Sequence, residues 1–311
     1  MKLFFVCLIL FVTTACPIGP NQTTHHEQYN NHSDGGIHEI TYPHPLTDVV
    51  NQVGGPNTID IATWNLENFP MTSQTPEQVA NIIASLDLDL IGVQEISDVA
   101  AFEELLARLP YHDGFLSSHT YIDGAYQKVG FIWRTDVLNA TNLQLIFNGS
   151  FNAFPRPPLL AKFTTLEQTN VEHFWAITVH LKAGTSYEER ERRIEGVQKL
   201  HTYSNDLIAA EENAHVILLG DFNERLDSSY GDIVFKPFLD DSTDYNFLTA
   251  GLHTGAFSYI WSSSLIDHMI VTKTFMENNN TLEIMIPRLE QELDNYTTVI
   301  SDHLPVVTLI H

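Results

Sequence analysis

Val216-Ile217-Leu218-Leu219-Gly220-Asp221-Phe222-Asn223 is an apolar run that stops abruptly at a carboxylate, with an amide two residues on. A short aliphatic run bounded by glycine reads as a buried strand. Three other runs end in the same manner. Ile59-Asp60-Ile61-Ala62-Thr63-Trp64 ends in Asn65, Leu90-Ile91-Gly92-Val93-Gln94 ends in Glu95, and Phe174-Trp175-Ala176-Ile177-Thr178-Val179 ends in His180. Buried strands that each deliver a polar group at one end describe an active site on the rim of a sheet. The set offers carboxylates for a divalent cation, a histidine for proton transfer and amides to orient an oxyanion.

Two further segments extend the set. Leu265-Ile266-Asp267-His268 and Ser301-Asp302-His303-Leu304-Pro305 each place an Asp beside a His at the mouth of a strand. Other strands are expected at Val129–Trp133, Leu159–Phe163, Asp267–Val271 and Val306–Ile310, and also across Phe257-Ser258-Tyr259-Ile260-Trp261. Between them lie helical patterns. Val79, Ile82, Ile83 and Leu86 follow a Thr75-Pro76 start; Phe102, Leu105, Leu106 and Leu109 follow a capping Asp98. Ser186 and Glu189 form a capping box for a long helix running toward Ala209. Residues 227 to 264 read mostly as loop. Alternating strands and helices predict one α/β domain with helices outside sheet layers.

The chain has 311 residues, of which 43% are hydrophobic, enough for a full core. Its 15 Lys and Arg against 39 Asp and Glu give a net charge of −24. Such a chain repels bulk polyanions, which argues against tight non-specific binding to duplex DNA. Ten of the fifteen basic residues nevertheless lie between Lys128 and Arg225. They leave room for a local basic surface, although Arg190-Glu191-Arg192-Arg193 reads as a solvated helix face. The two cysteines, Cys7 and Cys16, both stand near the N-terminus, so the body carries no disulfide framework. Met1-Lys2, an apolar run from Leu3 to Val12 and Thr13-Thr14-Ala15 read as a secretory signal covering residues 1–15. Ala15-Cys16 resembles a lipoprotein cleavage site, with Cys16 lipidated as the first mature residue. Residues 16–57 read as a flexible polar tether and 58–311 as the catalytic domain. The expectation is an exported, membrane-anchored lipoprotein, periplasmic or at the cell surface, or otherwise a secreted protein, and a monomer.

Taken in order, Trp64-Asn65-Leu66-Glu67-Asn68-Phe69, Val93-Gln94-Glu95, Val179-His180-Leu181, Gly220-Asp221-Phe222-Asn223, Ile266-Asp267-His268 and Ser301-Asp302-His303 resemble the motifs of the endonuclease/exonuclease/phosphatase superfamily. Within it the chain resembles the deoxyribonuclease I-like proteins, and Phe154-Pro155-Arg156-Pro157-Pro158 resembles the family's arginine–proline segment. The resemblance covers about residues 58–311. It implies a four-layer sandwich, two β-sheets packed face to face with helices on both outer faces. It also implies a Mg²⁺-dependent phosphodiesterase, with Mn²⁺ or Ca²⁺ as alternatives, acting as a nuclease on DNA or RNA. Glu95, Asn65 and Asp302 would hold the metal. His303, oriented by Asp267, would be the general base, with Asp221 as the alternative. His180 would donate a proton or hydrogen bond to the phosphate, while Asn65, Asn223 and Arg156 would bind the substrate.

Two positions depart from the deoxyribonuclease I pattern. Gln127 stands where a glutamate would pair with the first histidine, and Ser97 stands where a basic residue would enter a DNA groove. The rival readings are a phosphatase or phospholipase on the same fold, marked in the lipid-active case by an exposed aromatic hairpin, and an inactive surface-binding module.

Overall fold

Alternate residues of the central strands face different layers, which is why their sequences read as unbroken apolar runs. The computed structural model describes residues 43–166, 172–211, 214–277 and 282–310. Among these residues the first strands are β1 (Ile59–Phe69), β2 (Leu90–Ile96), β3 (His112–Leu116), β4 (Lys128–Arg134), β5 (Leu138–Leu145) and β6 (Leu159–Thr165). The later ones are β7 (His173–His180), β8 (Val216–Asp221), β9 (Tyr245–Phe247), β10 (Asp267–Thr272), β11 (Leu282–Met285) and β12 (Val306–Ile310). They form two six-stranded sheets, ordered β11-β12-β1-β2-β4-β3 and β5-β6-β7-β8-β10-β9. Each sheet holds one parallel pair at its centre, β1 with β2 and β7 with β8, and the other pairings are antiparallel.

Three apolar layers hold this arrangement together, and strand parity assigns residues to them. Ile59, Ile61 and Leu90 of the first sheet meet Phe174, Ala176, Ile217, Leu219, Met269 and Val271 of the second in the middle layer. Ala62, Trp64, Ile91 and Val93 face outward against Val79, Ile82 and Ile83 of helix α1 (Thr75–Leu86) and Phe102 and Leu105 of α2 (Val99–Ala107). On the far side Ile177, Val179, Val216 and Leu218 pack against Val197 and Leu200 of α3 (Tyr187–Ala210). The result is the expected four-layer sandwich. The helix starts behave largely as their sequences require. Asp98 accepts the Ala101 N–H at 3.1 Å, and Ser186 with Glu189 closes a reciprocal capping box.

The two sheets approach closely at Gly92. A Cβ on Gly92 would stand 2.7 Å from Leu219 Cδ1 and 3.1 Å from Thr178 Oγ1, so any larger residue there would displace Leu219. Beside it the buried Gln94 Nε2 donates to Thr63 Oγ1 at 3.1 Å, Gly92 O at 3.0 Å and, across the layer, Thr178 Oγ1 at 3.0 Å. An unpaired buried polar group costs about 1–3 kcal/mol. Gln94→Ala is therefore expected to lower unfolding stability by about 1–3 kcal/mol in denaturant titration. A loss below about 0.5 kcal/mol would mean that the bridge contributes little.

Two expectations are corrected here. The segment read as tether is packed at its C-terminal end. His44 N–H donates to Asn81 Oδ1 at 2.9 Å, Leu46 N–H donates to Ser85 Oγ at 2.6 Å, and Val50 is buried in the layer beneath α1. The packed domain thus begins before residue 58. Phe257 to Trp261 is not a strand: residues 259–264 make a tight turn in which Ser264 N–H donates to Tyr259 O, and Trp261 stands exposed at its tip. The expected signal segment and Cys16 lie outside the described residues.

Candidate active site

Parity also aims the polar strand ends. Asn65, His180, Asp221 and Asp267 share parity with the middle-layer residues of their own strands. All four therefore emerge where the gap between the sheets opens. His180 pairs in register with Asp221, and Asp221 pairs with Asp267, so three of them sit on one rung across β7, β8 and β10. Gly220, at φ 148°, shapes the end of β8, and a Cβ there would lie 2.1 Å from Val179 O. Glu95 has the wrong parity, but its left-handed backbone (φ 62°) beside the β2 irregularity turns it toward the others. His268 has the opposite parity to Asp267. It bonds Thr249 and the Glu224 carbonyl among Phe222, Phe235 and Phe247, away from the site.

The centre is a web of buried groups. Asn65 Nδ2 donates to Glu95 Oε1 at 3.3 Å and to Asp221 Oδ2 at 3.1 Å, while its oxygen accepts the Glu67 N–H at 3.0 Å. Asn65 thus ties two carboxylates together through its N–H groups, and its oxygen keeps a second lone pair. Asn223 folds back on Asp221, with its N–H 2.8 Å from Oδ1 and its Nδ2 3.0 Å from Oδ2. His180 Nε2 lies 3.5 Å from Asp221 Oδ2 and 3.6 Å from Glu95 Oε1. On the other side His303 Nδ1 bonds Asp267 Oδ2 at 2.8 Å. The Ser301–His303 loop is fixed by Ser301 Oγ donating to Asn65 O at 2.7 Å and by Tyr296 Oη donating to His303 O at 2.6 Å. Ser258 Oγ accepts the Asp267 N–H at 3.1 Å. Ser258 and Tyr296 were invisible as site residues in the sequence, because nothing local marks a distant hydroxyl as a brace.

Burial and charge split the titrating groups. Burial, with the charges of Arg156, His303 and Lys182, holds His180 well below the ordinary histidine range, so it is a neutral imidazole. Burial also opposes the His303 cation. The charge and hydrogen bond of Asp267, with Asp221 and Asp302, outweigh it and raise that histidine to about 10. Burial and the Asp267 charge push the Asp221 carboxyl up to about 7. His303 therefore holds its proton tightly, whereas Asp221 accepts one near neutrality.

Ligand-type atoms of Asp221, Asp267 and His303 all lie within 4.8 Å of one another. That trio is a poor cation site, because its imidazole nitrogen and carboxylate already share a proton. The expected cluster around Glu95 suits a cation better. Burial and the nearby Asp302 and Glu95 charges raise the Glu67 carboxyl to about 7, and burial and the Glu95 charge raise Asp302 as well. Glu67 Oε2 is buried without a hydrogen-bond partner. A divalent cation relieves this mutual repulsion, and hard carboxylate oxygens match Mg²⁺ chemistry. Glu67, Glu95 and Asp302 fit the role, while His303 Nε2 lies 3.8 Å from Asp302 Oδ1 at its edge.

Three further placements differ from expectation. Gln127 does not reach His180. It donates to Glu95 Oε2 at 3.2 Å and to Asn68 Oδ1 at 2.6 Å, and accepts from Arg156 Nη2, leaving His180 Nδ1 without a partner. Arg156 thus stands behind Gln127 rather than on the centre. Arg193, read as solvated, is buried, with Nη2 3.0 Å from Glu224 Oε2 and Nη1 bonded to Lys182 O and Gly184 O.

The other cations of the 128–225 stretch are also engaged internally. Lys128 bonds two carbonyls, and Arg192 two more. Arg134, Lys162, Lys182, Lys199 and Arg225 pair with acids, and Arg190 stacks on Tyr230. They compose no open basic groove.

A profile described as the Endonuclease/Exonuclease/phosphatase family matches residues 62–303. No curated protein matches the chain. Among solved structures, the human Nocturnin catalytic domain superposes with TM-score 0.63 at 17% identity, over 86% of this chain and 99% of that one. A humanized D. rerio TDP2 gives 0.62 at 16%, over 82% and 100%. A Bacteroides thetaiotaomicron mannosyl-6-phosphatase gives 0.57 at 15%, over 81% and 100%. At these identities the likeness concerns the fold.

Proposed function

The chain belongs to the endonuclease/exonuclease/phosphatase family, a family of phosphoester hydrolases, and from that premise we propose that it is a Mg²⁺-dependent nuclease acting on single-stranded or short nucleic acids. The observation that carries this reading is the Asp267–His303 pair at 2.8 Å, whose imidazole Nε2 lies 3.8 Å from the Asp302 carboxylate. When bound, Mg²⁺ supplies positive charge to the phosphoryl oxygens. Asp221, held by Asn65 and Asn223, takes the proton of the attacking water. The His303 imidazolium, kept charged by Asp267, binds a phosphoryl oxygen or protonates the leaving one. The neutral His180 donates a hydrogen bond and carries no charge. These roles favour Asp221 over His303 as the base. The choice of short or unpaired strands rests on the net charge of −24 and on the engaged cations of the basic stretch.

The test is a panel of single-stranded DNA, RNA, plasmid and a phosphorylated small molecule, each with Mg²⁺ and with chelator. Cleavage of single strands that chelator abolishes and Mg²⁺ restores is expected. Hydrolysis of the small molecule with every nucleic acid intact would overturn the nuclease reading. Trp261, exposed at a turn whose Tyr259 packs on His303 at 4.9 Å, supports a second reading, a lipid phosphodiesterase. Vesicles containing a phosphodiester lipid belong in the same panel.

A further inference from the structure

A cavity of about 630 Å³ opens beside the reaction centre, walled by His119, Tyr121, Ile122, Asp123, Phe151 and Pro155. That volume lies within the usual range for a small-molecule site. Its walls come from the segment between β3 and β4 and from the loop before β6. Ile122 and Phe151 are large apolar side chains left exposed there.

The cavity is joined to the catalytic groups by a short polar chain. Pro155 precedes Arg156, Arg156 Nη2 donates to Gln127, and Gln127 Nε2 donates to Glu95 Oε2 at 3.2 Å. The charge of Arg156 is felt by His180 in the centre and by His119 in the cavity wall. Its Nε is buried without a partner. A phosphoester bound at the centre would have this polar chain between its phosphate and the cavity.

The wall also states what kind of substituent fits there. Tyr121 and Phe151 offer aromatic faces. His119 adds a polar atom, for its Nδ1 lies 3.0 Å from Ser117 Oγ while its Nε2 is buried and unpartnered. Ser117 Oγ already accepts the Val129 N–H at 3.2 Å, so its own hydrogen is free to go to Nδ1, leaving Nε2 protonated as a donor. An alkyl chain would leave that donor unmatched. A heterocyclic ring stacks on the aromatics and offers that donor an acceptor.

We propose that this cavity is a subsite for the nucleobase next to the scissile phosphate, with Tyr121 and Phe151 as its stacking walls and His119 as its polar contact. The inference rests on the phosphoester-hydrolase reading for its direction, but its test does not require turnover.

Calorimetry on the full chain with Mg²⁺ would compare three phosphonates: methylphosphonate, decylphosphonate and thymidine 5′-methylenephosphonate. The nucleoside ligand is expected to bind about tenfold more tightly than methylphosphonate, the size of one base stack. That ratio should fall toward one in Phe151→Ala and in Tyr121→Ala; both side chains line the cavity rim, and the ratio of two ligands on one variant cancels any partial loss of fold. A ratio unchanged by both substitutions would overturn the subsite. Decylphosphonate binding more tightly than the nucleoside, and weakened by the same substitutions, would also overturn it, because the occupant would then be a lipid chain. If the nucleoside preference holds while no nucleic acid is cleaved, the subsite stands and the nuclease reading falls.

Discussion

Replacing Asp221 with Asn is expected to lower kcat about a thousandfold, within the range for loss of a general base. The amide cannot take a proton from water, yet it keeps the size of the carboxyl between Asn65, Asn223 and His180. The same substitution has a stability signature of opposite sense. Burial and the Asp267 charge raise the Asp221 carboxyl to about 7 in the folded chain, from about 3.9 when unfolded. The folded state therefore disfavours the ionised form. Its stability declines as pH rises from about 4 through about 7, and the full penalty applies above that. An amide escapes the penalty. Measured in chelator, the melting temperature of the variant relative to the parent should move upward between pH 4 and pH 8. Retention of kcat within tenfold would remove Asp221 from the chemistry. A melting difference that stays flat with pH would mean that the carboxylate is not strained.

Arg193→Ala is expected to cost about 3–5 kcal/mol, the usual result of removing one partner from a buried ion pair. Arg193 and Glu224 are both buried, and their contact is 3.0 Å. The guanidinium also holds Lys182 O at 2.9 Å and Gly184 O at 2.8 Å, the backbone that follows His180. Its loss should loosen this loop, so kcat should drop along with the denaturation midpoint. Adding Glu224→Gln to the variant removes the stranded charge and should recover part of the loss. A single-variant cost below about 1 kcal/mol would show that water reaches the pair.

Much of the fold was legible because strand parity and helix caps are local signals. Every run ending in a polar residue became a strand of the sandwich, and the Ser186 box sits at the start of α3. The grouping of Asn65, Glu95, His180, Asp221, Asn223, Asp267, Asp302 and His303 in space was legible, because each stands at or near a strand end. Their partners were harder to read. Charge alone could not tell that Arg193 lies under a loop, since long-range burial leaves no mark in the tetrapeptide Arg190–Arg193. The amide of Gln127 turned to Glu95 because Arg156 claimed its oxygen, a competition among three separate segments. Nothing in the sequence marks the N–H groups of Asn65 as a bridge between two carboxylates, because the three residues come from three separate strands.

The rung that joins His180, Asp221 and Asp267 has a consequence for how such an enzyme can change. Its reactive groups are welded to each other through ladder hydrogen bonds in the middle of a sheet. The walls of the neighbouring cavity hang from two connecting segments outside that ladder. Chemistry and substrate choice are thus separable traits. Insertions or exchanges in the connecting segments can retarget the molecule while the reaction is inherited intact, whereas drift on the rung extinguishes it at once.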